Sequence, residues 1–554
     1  MRTRIAWGVA VLATALATAV APATAASAAA TSTAATSAST SASTSASALT
    51  PAATGSWTGT WAVSPQSGGA SFNQQTLRQI VHTSIGGTSA RVQISNAFGG
   101  QPLAIADVHI AQRSSGSAIV SGTDRVVTFG GQTSASISAG GLAVSDPIAF
   151  PVGALSDVAV SVYLPQGTGS STYHQQGTAT NYIAAGDVSG NGSLSNPQTT
   201  GSYYFLTNLD VQNSASQGSV VTLGASITDG VASSQDSNRR WPNDLAVRLA
   251  QTGHQIGVLN QGISGNRLLV DGAGQSALNR FARDVVAQPG VKWVIFADDP
   301  INDLGSTSPP PSSAQLIAGV QQLVSEAHQN GLKFLCSTLT PYQGASYWTQ
   351  QGETAREAFN TWTRSANNGC DGLIDQDAAT HDPANPTTYL PAYDSGDHLH
   401  PNEAGLQAIA NTVNLALFGA PAATPVVSFR SHANGDIVTA DNAGASALIA
   451  NRTAVGQWES FDLISNADGS VSFRAHANSQ IVCADGAGAD PLIANRTAIG
   501  PWESFDLIDN VGGTVSLRAH ANGDIVTAEN AGASALIANR TAIGGWETFD
   551  LIQD

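Results

Sequence analysis

Residues 220–230 read Val-Val-Thr-Leu-Gly-Ala-Ser-Ile-Thr-Asp-Gly, an apolar run followed by a turn that carries Ser226. The apolar run predicts a short buried strand, and the flanking glycines predict a turn at its carboxyl end. Four further apolar runs follow along the chain, and segments with helical periodicity separate them. Alternating strands and helices predict an α/β fold, a parallel sheet wrapped by helices. In such a sheet, reactive groups collect at the carboxyl ends of the strands, which is where Ser226 stands.

The pattern predicts five strands and four helices after residue 218. The strands are Val220–Gly224, Ile256–Asn260, Trp293–Ala297, Phe334–Leu339 and Gly372–Asp375. The first helix follows Pro242, and the second carries Leu278, Phe281 and Val285 on one face. The third helix carries Leu316, Val320, Leu323 and Val324 on one face and ends at Gly331. The last helix carries Leu406, Ile409, Val413 and Leu417.

Three further polar motifs lie at strand ends or helix starts of this domain. They are Asn-Gln-Gly-Ile-Ser-Gly-Asn-Arg at 260–267, Ile-Asn-Asp at 301–303, and Asp-His-Leu-His-Pro-Asn at 397–402. Ester hydrolysis needs a nucleophile, a base, a group that orients the base, and donors for the oxyanion. Each motif alone has a plainer explanation, such as a turn glycine, a helix-capping Asn or a surface His. Their occurrence together, in one order, favours a hydrolase.

On these motifs, residues 218–420 resemble the SGNH (GDSL-type) hydrolase family. The resemblance implies that Ser226 is the nucleophile, His400 its general base, and Asp397 the carboxylate that orients the base. It also implies an enzyme that needs no cofactor and no metal ion.

The same resemblance implies an oxyanion hole. Its donors would be the backbone N–H groups of Ser226 and Gly265 and the side-chain amide of Asn302. Trp241 and Asn266 are candidates for the substrate pocket, with packing and turn roles as the alternatives.

The chain departs from the family pattern at two positions. Ala225 replaces the Asp of the usual Gly-Asp-Ser, and Pro300 replaces the first Gly of the usual Gly-x-Asn-Asp. Neither position supplies a reacting group. We therefore expect the changes to affect the nucleophile turn and the direction of Asn302, and so catalytic efficiency.

Two adjacent acids, Asp298 and Asp299, precede Pro300. The simplest interpretation is a solvated acidic loop with a proline that sets a turn. The alternative is a glycosidase, in which one of these carboxylates would act with Asp397 across a sugar.

The N-terminus has the features of an export signal. Arg2 and Arg4 precede an apolar run, and Ala23-Thr24-Ala25 is a cleavage pattern, so residues 1–25 are predicted to be a signal peptide. Residues 26–54 are almost only Ala, Ser, Thr and Pro, which predicts a disordered linker. Residues 55–212 alternate apolar and polar positions and are predicted to form a β-sandwich. This segment resembles the accessory sandwich of some secreted bacterial members of the family.

Residues 426–554 contain three copies of one sequence at a spacing of 44 residues. Each copy has Arg-[Ser/Ala]-His-Ala-Asn, Ala-Asn-Arg-Thr-Ala and Trp-Glu-[Ser/Thr]-Phe-Asp-Leu-Ile. Three copies predict a closed β-trefoil, and the repeats resemble the fascin-like trefoil family, which implies glycan binding. We expect Trp458, Trp502 and Trp546, with the phenylalanines that follow them, to fill the barrel core. His432, His476 and His520 are not expected to bind a metal ion, since symmetry-related turns lie far apart.

The composition limits the partners. Among 554 residues, 39 are acidic and 22 basic, and only 11% are charged. Nucleic-acid binding and polybasic membrane anchoring both need clustered Lys and Arg, so neither is expected. After residue 25 no stretch is long and apolar enough to span a membrane. Three cysteines are too few for a disulfide framework; buried thiols at Cys336 and Cys483 are the simple interpretation, and a Cys336–Cys370 bridge is the alternative.

These observations together predict a secreted, extracellular serine esterase. It would remove acyl groups, above all acetyl, from a polysaccharide, while the C-terminal repeats hold it on glycan. The alternatives are a lipase-like or general carboxylester hydrolase, the glycosidase, and a glycan-binding protein whose hydrolase fold has decayed.

Overall fold

The computed structural model describes residues 56–421, 425–466, 470–510 and 513–553. The predicted signal peptide and linker, residues 1–54, lie outside the described residues. The described chain contains three regions in sequence: a β-rich region, an α/β region and a second β region. Among the described residues, no helix has the length and apolar character to cross a bilayer.

The N-terminal region is β-rich, as its period-2 pattern predicts, and residues 56–217 contain no helix. Two antiparallel sheets, ordered β1-β15-β4-β9 and β13-β12-β3-β10-β5-β6, share one hydrophobic core, and a small third sheet, β14-β11-β2, lies beside them. The strands are β1 Trp57–Ala62, β2 Gln66–Gly69, β3 Gln75–His82, β4 Ser89–Ser95, β5 Leu103–Ser115, β6 Ala118–Ile119, β7 Arg125–Val127, β8 Ser134–Ile137, β9 Leu142–Val144, β10 Asp157–Leu164, β11 Ser171–His174, β12 Asn181–Ala185, β13 Gln198–Thr200, β14 Tyr203–Tyr204 and β15 Leu206–Gln212.

The α/β region has the predicted parallel sheet. Its five strands are β16 Gly218–Gly224, β17 Ile256–Gly262, β18 Val291–Phe296, β19 Lys333–Ser337 and β20 Gly372–Ile374, in the order β17-β16-β18-β19-β20. The helices are α1 Ser226–Asp229, α2 Trp241–Gln251, α3 Ala277–Phe281 (continued by a π-helical turn, Ala282–Val286), α4 Asp299–Ser306, α5 Ser313–Gln329, α6 Gln350–Thr363, α7 Gln376–Thr380 and α8 Glu403–Thr412, followed by a 3₁₀ turn, Leu415–Phe418. A small hairpin, β21 His381–Asp382 and β22 Asn385–Tyr389, follows α7.

Four of these eight helices are absent from the sequence prediction: the short helices α1 and α7, and the longer helices α4 and α6. Helix α4 begins at Asp299, in the segment interpreted as a loop, with Pro300 in its first turn. There the missing N–H of proline costs no helical hydrogen bond. Helix α6 is rich in polar residues and has a weak apolar pattern, but the side chain of Thr349 caps it by accepting the N–H of Gly352.

The N-terminal region covers an edge of the parallel sheet. Strand β17 is an outer strand, and the Oγ of Ser84 accepts the N–H of its Val258 at 2.9 Å. Strand β1 approaches β17 so closely that a Cβ on Gly257 would lie 1.9 Å from the carbonyl oxygen of Gly59. The two regions therefore form a joint structure in which an exposed sheet edge is closed off.

The cysteines divide into one pair and one free thiol. Cys336 on β19 and Cys370 before β20 form a disulfide, the alternative that the sequence left open. Cys483 is free and buried.

The C-terminal region consists of three four-strand units. The strands are β23 Val426–Ser431, β24 Ile437–Ala440, β25 Leu448–Arg452, β26 Phe461–Ser465, β27 Val471–Ala475, β28 Ile481–Ala484, β29 Leu492–Arg496, β30 Phe505–Asp509, β31 Val515–Ala519, β32 Ile525–Ala528, β33 Leu536–Arg540 and β34 Phe549–Gln553. The last strand, β34, pairs with the first, β23, so the strands close on themselves. The β-trefoil assignment stays a prediction.

The expectation that the repeated tryptophans fill the core is wrong. Trp458, Trp502 and Trp546 are 37–39% exposed. The phenylalanines three residues later do lie in the core, where Phe461, Phe505 and Phe549 are all buried. Each tryptophan lies in the tight turn before its strand, outside the barrel, whereas each phenylalanine begins the strand.

The repeated histidines bind carboxylates of neighbouring strands. His432 pairs with Asp550, His476 with Asp462 and His520 with Asp506, at 2.6–2.8 Å.

Candidate active site

Ser226 stands where strand β16 ends and α1 begins, over the carboxyl edge of the sheet. Its Oγ lies 2.8 Å from Nε2 of His400. His400 belongs to the loop before α8, and Asn402 caps that helix by accepting the N–H of Gly405. The tertiary fold thus brings together a hydroxyl and an imidazole that are 174 residues apart in sequence.

The other ring nitrogen of His400 faces Asp397. Its Nδ1 lies 2.6 Å from Oδ2 of Asp397, and the Oδ1 of Asp397 accepts the backbone N–H groups of Leu399 and His400. Burial would raise the pKa of Asp397, but the hydrogen bonds from His400 and from these N–H groups lower this pKa to about 2. The carboxylate stays ionised at neutral pH and fixes which ring nitrogen carries hydrogen. This hydroxyl–imidazole–carboxylate arrangement can activate a serine as a nucleophile.

The sequence suggests a solvated loop at Asp298, but the residue is buried. It is 2% exposed, and its carboxylate accepts the N–H groups of Ala225 (3.0 Å) and Ile227 (2.8 Å) and the hydroxyl of Thr228 (2.5 Å). Burial and the charge of Asp299 raise the pKa of Asp298 to about 6. The carboxylate therefore holds the turn on both sides of Ser226.

Asp299 is also buried and engaged. Its Oδ1 accepts the side-chain amide of Asn266 at 2.8 Å and lies 3.4 Å from the guanidinium of Arg280. Burial raises the pKa of Asp299, against the opposing charge of Arg280. Since neither Asp298 nor Asp299 is open to solvent, neither is placed to act with Asp397 on a sugar, as the glycosidase alternative requires.

Asn302 lies in the second turn of α4, with its amide held at both ends. Its Nδ2 donates to the carbonyl of Asn266 at 2.8 Å, and its Oδ1 accepts the hydroxyl of Tyr347 at 3.1 Å. The second N–H of the amide is free to bind another acceptor. Pro300 does not prevent this arrangement, and Tyr347, which the sequence reasoning missed, determines which way the amide faces.

Gly265 occupies a turn after β17 with a φ of +78°. Within the described chain, no acceptor is bonded to its N–H or to that of Ser226. The turn is fastened through Ser264, whose N–H and hydroxyl both bind Asp229. Asp229 thus joins the turn that carries Ser226 to the Gly265 turn.

The prediction that Trp241 lines the pocket is wrong. Its side chain is fully buried in the core under α2, and its Nε1 lies 3.3 Å from Oγ1 of Thr228. Asn266 is also buried, and its amide is bound to Asp299, so it supports the turn rather than facing solvent. Across the described residues, His, Cys, Asp and Glu side chains form no group of three arranged to hold a metal ion.

A family model covers the part of the chain that carries these residues. Residues 222–408 match the GDSL-like lipase/acylhydrolase family. The protein thus carries a GDSL-like acylhydrolase domain, and it is an enzyme, a carboxylic ester hydrolase. No curated protein matches the chain.

Solved structures resemble separate parts of the chain. A lipase/acylhydrolase from Enterococcus faecalis is 16% identical (TM-score 0.29), with 36% of this chain and 96% of that chain covered. An alpha/beta hydrolase from the metagenome of Lake Arreo, Spain, is 22% identical (TM-score 0.29), with 37% and 96% covered. A designed threefold-symmetric protein, ThreeFoil, is 20% identical (TM-score 0.22), with 23% and 97% covered. These likenesses are too remote to add to the family match.

Proposed function

We propose that the protein is a secreted serine esterase that removes acyl groups, above all acetyl, from a polysaccharide. The observation that carries the mechanism is the line of contacts from Ser226 Oγ to His400 Nε2 (2.8 Å) and from His400 Nδ1 to Asp397 Oδ2 (2.6 Å). Ser226 attacks the ester carbonyl carbon while His400 takes its proton, and Asp397 stabilises the resulting imidazolium. His400 then gives this proton to the sugar oxygen as the bond between that oxygen and the acyl carbon breaks, which leaves an acyl-Ser226 ester and a free sugar hydroxyl.

Water completes the cycle. His400 removes a proton from the water as it attacks the acyl-enzyme, then returns that proton to Ser226 as the carboxylic acid leaves. The N–H groups of Ser226 and Gly265 and the free N–H of Asn302 are the proposed oxyanion donors. The unbonded state of the two backbone N–H groups in the described chain supports this assignment, as does the hold of Tyr347 on Asn302.

Export is supported by the disulfide between Cys336 and Cys370, since disulfides persist in oxidising compartments outside the cytosol. A polysaccharide substrate is supported by the low content of charged residues, 11%, which suits a neutral polymer. The exposed Trp458, Trp502 and Trp546 support glycan binding by the C-terminal repeats, because indole rings offer flat apolar faces to sugars.

The test compares wild type with Ser226→Ala on p-nitrophenyl acetate and on acetylated xylan, with acetate release as the readout. Only wild type is expected to release acetate, and EDTA is expected to leave its rate unchanged. Ser365→Ala is the control, since that exposed hydroxyl donates to the carbonyl of Trp362 in helix α6. Acetate release by Ser226→Ala would contradict the mechanism, and reducing sugar released without acetate would identify a glycosidase.

The substrate class needs its own measurement. Wild type is expected to prefer acetyl esters over p-nitrophenyl palmitate, and a preference for the long chain would instead identify a lipase. For the repeats, retention of the full chain on insoluble xylan is expected to fall when Trp458, Trp502 and Trp546 are all changed to Ala. Unchanged retention would remove the proposed role of the tryptophans.

A further inference from the structure

A buried chain of hydrogen bonds leads from the N-terminal β-rich region to the Gly265 turn. His174, the last residue of β11, has its Nε2 3.0 Å from Oδ1 of Asp229. The Oδ2 of Asp229 accepts the N–H of Ser264 at 2.8 Å and its hydroxyl at 2.6 Å. Ser264 immediately precedes Gly265, so two bonds link a residue of the β-rich region to the residue whose carbonyl group shares a peptide unit with the Gly265 N–H.

The surroundings of His174 define its hydrogen-bonding state. Its Nδ1 lies 3.0 Å from the carbonyl oxygen of Ser64, and its Nε2 is also 3.1 Å from the carbonyl oxygen of Gln176. All these partners are acceptors, so every one is satisfied only when both ring nitrogens carry hydrogen. The ring lies directly against the Asp229 carboxylate, and both side chains are only 2% exposed. Loss of the ring would remove the hydrogen bond to Oδ1 of this buried carboxylate, which disfavours the observed geometry.

The Gly265 turn depends on such anchors. With a φ of +78°, Gly265 has a conformation that any other residue adopts only with strain, and the N–H direction depends on the peptide plane between Ser264 and Gly265. On the far side, Asn266 is bound to Asp299. Asp229 provides the near-side anchor, and His174 holds Asp229 from the opposite direction.

We infer that the β-rich region completes the active site, and that His174 is a positioning residue that aims the Gly265 N–H at the oxyanion through Asp229 and Ser264. This inference rests on the proposed esterase function. His174 touches neither substrate nor Ser226; its effect passes through the turn. The β-rich region is therefore part of the catalytic scaffold as well as a cover for the sheet edge.

The test replaces His174 with Gln in the full-length protein and measures p-nitrophenyl acetate hydrolysis. A misdirected oxyanion donor acts in the transition state, so we expect kcat to fall by about 10- to 100-fold, below the 10²–10³ of outright donor loss. KM is expected to stay within about twofold, since substrate binding in the ground state does not use this donor. The affinity for a boronic acid, which forms a tetrahedral adduct with Ser226, is expected to fall in parallel with kcat.

His109→Gln is the matched control. His109 is also a buried histidine of the β-rich region that binds carboxylates, Asp124 at 2.8 Å and Asp107 at 3.3 Å, and both of these partners lie within the β-rich region. The control is expected to keep the wild-type kcat. An unchanged kcat in His174→Gln, or an equal loss in His109→Gln, would overturn the inference.

A second variant keeps the test decisive if His174→Gln does not fold. Ser264→Ala removes the hydroxyl bond to Asp229 but keeps the backbone bond, so a smaller fall in kcat at constant KM is expected. Where both variants fold, their double mutant should lose less than the product of the single losses, because both act through Asp229. A wild-type kcat in Ser264→Ala would contradict the proposed role of the hydrogen bonds from His174 through Asp229 to Ser264. If Ser226→Ala stays active, the proposed function itself fails, whatever His174 does.

Discussion

The carboxylate of Asp298 accepts the backbone N–H of Ala225 at 3.0 Å. Ala225 stands where the resembled motif has Asp, so a carboxylate reaches this turn from the end of a neighbouring strand, β18, instead of from the turn itself. The second oxygen of Asp298 accepts the N–H of Ile227, which leaves the N–H of Ser226, between them, unbonded within the described chain.

We predict that Asp298→Asn lowers kcat by about 100-fold, the cost typical of a misplaced reacting group. An amide cannot accept on both of its ends, so one N–H of the nucleophile turn loses its acceptor. Steady-state kinetics on p-nitrophenyl acetate check this. Asp210→Asn is the control, because Asp210 is equally buried but binds Arg91 and Gln93 in the β-rich region. An equal fall in kcat in both variants would mean that the effect of Asp298→Asn is general destabilisation of the fold.

The raised pKa of Asp298 predicts a pH dependence of stability. The pKa of about 6 in the folded protein exceeds the ordinary value, so the native state holds this proton more tightly than the unfolded chain does. Its stabilising contribution is complete below about pH 4 and is lost as the pH rises through about 6. Across that window, wild type should lose up to about 3 kcal/mol relative to Asp298→Asn. Thermal melts of both proteins at several pH values measure the difference, and a constant difference would contradict the prediction.

Tyr347→Phe should weaken the proposed oxyanion hole without unfolding the protein. The Oδ1 of Asn302 loses the hydroxyl that orients its amide. We expect kcat to fall about tenfold, less than for removal of a donor, with little change in KM. Tyr182→Phe, a buried tyrosine of the β-rich region, serves for comparison. A change in KM alone would instead place Tyr347 in substrate binding.

The C-terminal repeats predict opposite outcomes for two neighbouring aromatic residues. Phe461→Ala should cost about 3–5 kcal/mol, because the ring is fully buried in the barrel core. Trp458→Ala should change stability by less than about 0.5 kcal/mol, because the indole is exposed. Thermal melts of the two variants test this prediction. Similar losses of folding stability in both variants would place Trp458 in the core.

Reduction of the disulfide should destabilise the α/β region. Cys336 and Cys370 are 34 residues apart, and closing a loop of that length stabilises a fold by about 3–4 kcal/mol in the chain-entropy description. The double change to Ala should lower the Tm, and Cys483→Ala, at a buried free thiol, is the comparison. A reductant should lower the Tm of wild type but not that of the double variant.

The sequence alone was sufficient for much of the fold. The five parallel strands follow from apolar runs separated by helical periodicity, and the 44-residue spacing reveals the repeats. It also singled out Ser226, Asp397 and His400, which the structure then brings within hydrogen-bonding distance. Helix α6 was not predicted, because its burial depends on contacts across the fold more than on the apolar pattern of its own sequence.

Tertiary structure alone decided which residues support the site. Local periodicity reports which face of an element is buried, so it reveals strands and helices; it does not report which distant side chains meet. Asp298 could be read as a solvated acid, and His174 and Tyr347 could not be linked to the site at all, until the fold placed them against Ala225, Asp229 and Asn302. The sequence by itself therefore determined the layers of the protein and the order of its motifs. The tertiary structure decided which buried polar groups hold those motifs in place, because only the fold brings their donors and acceptors together.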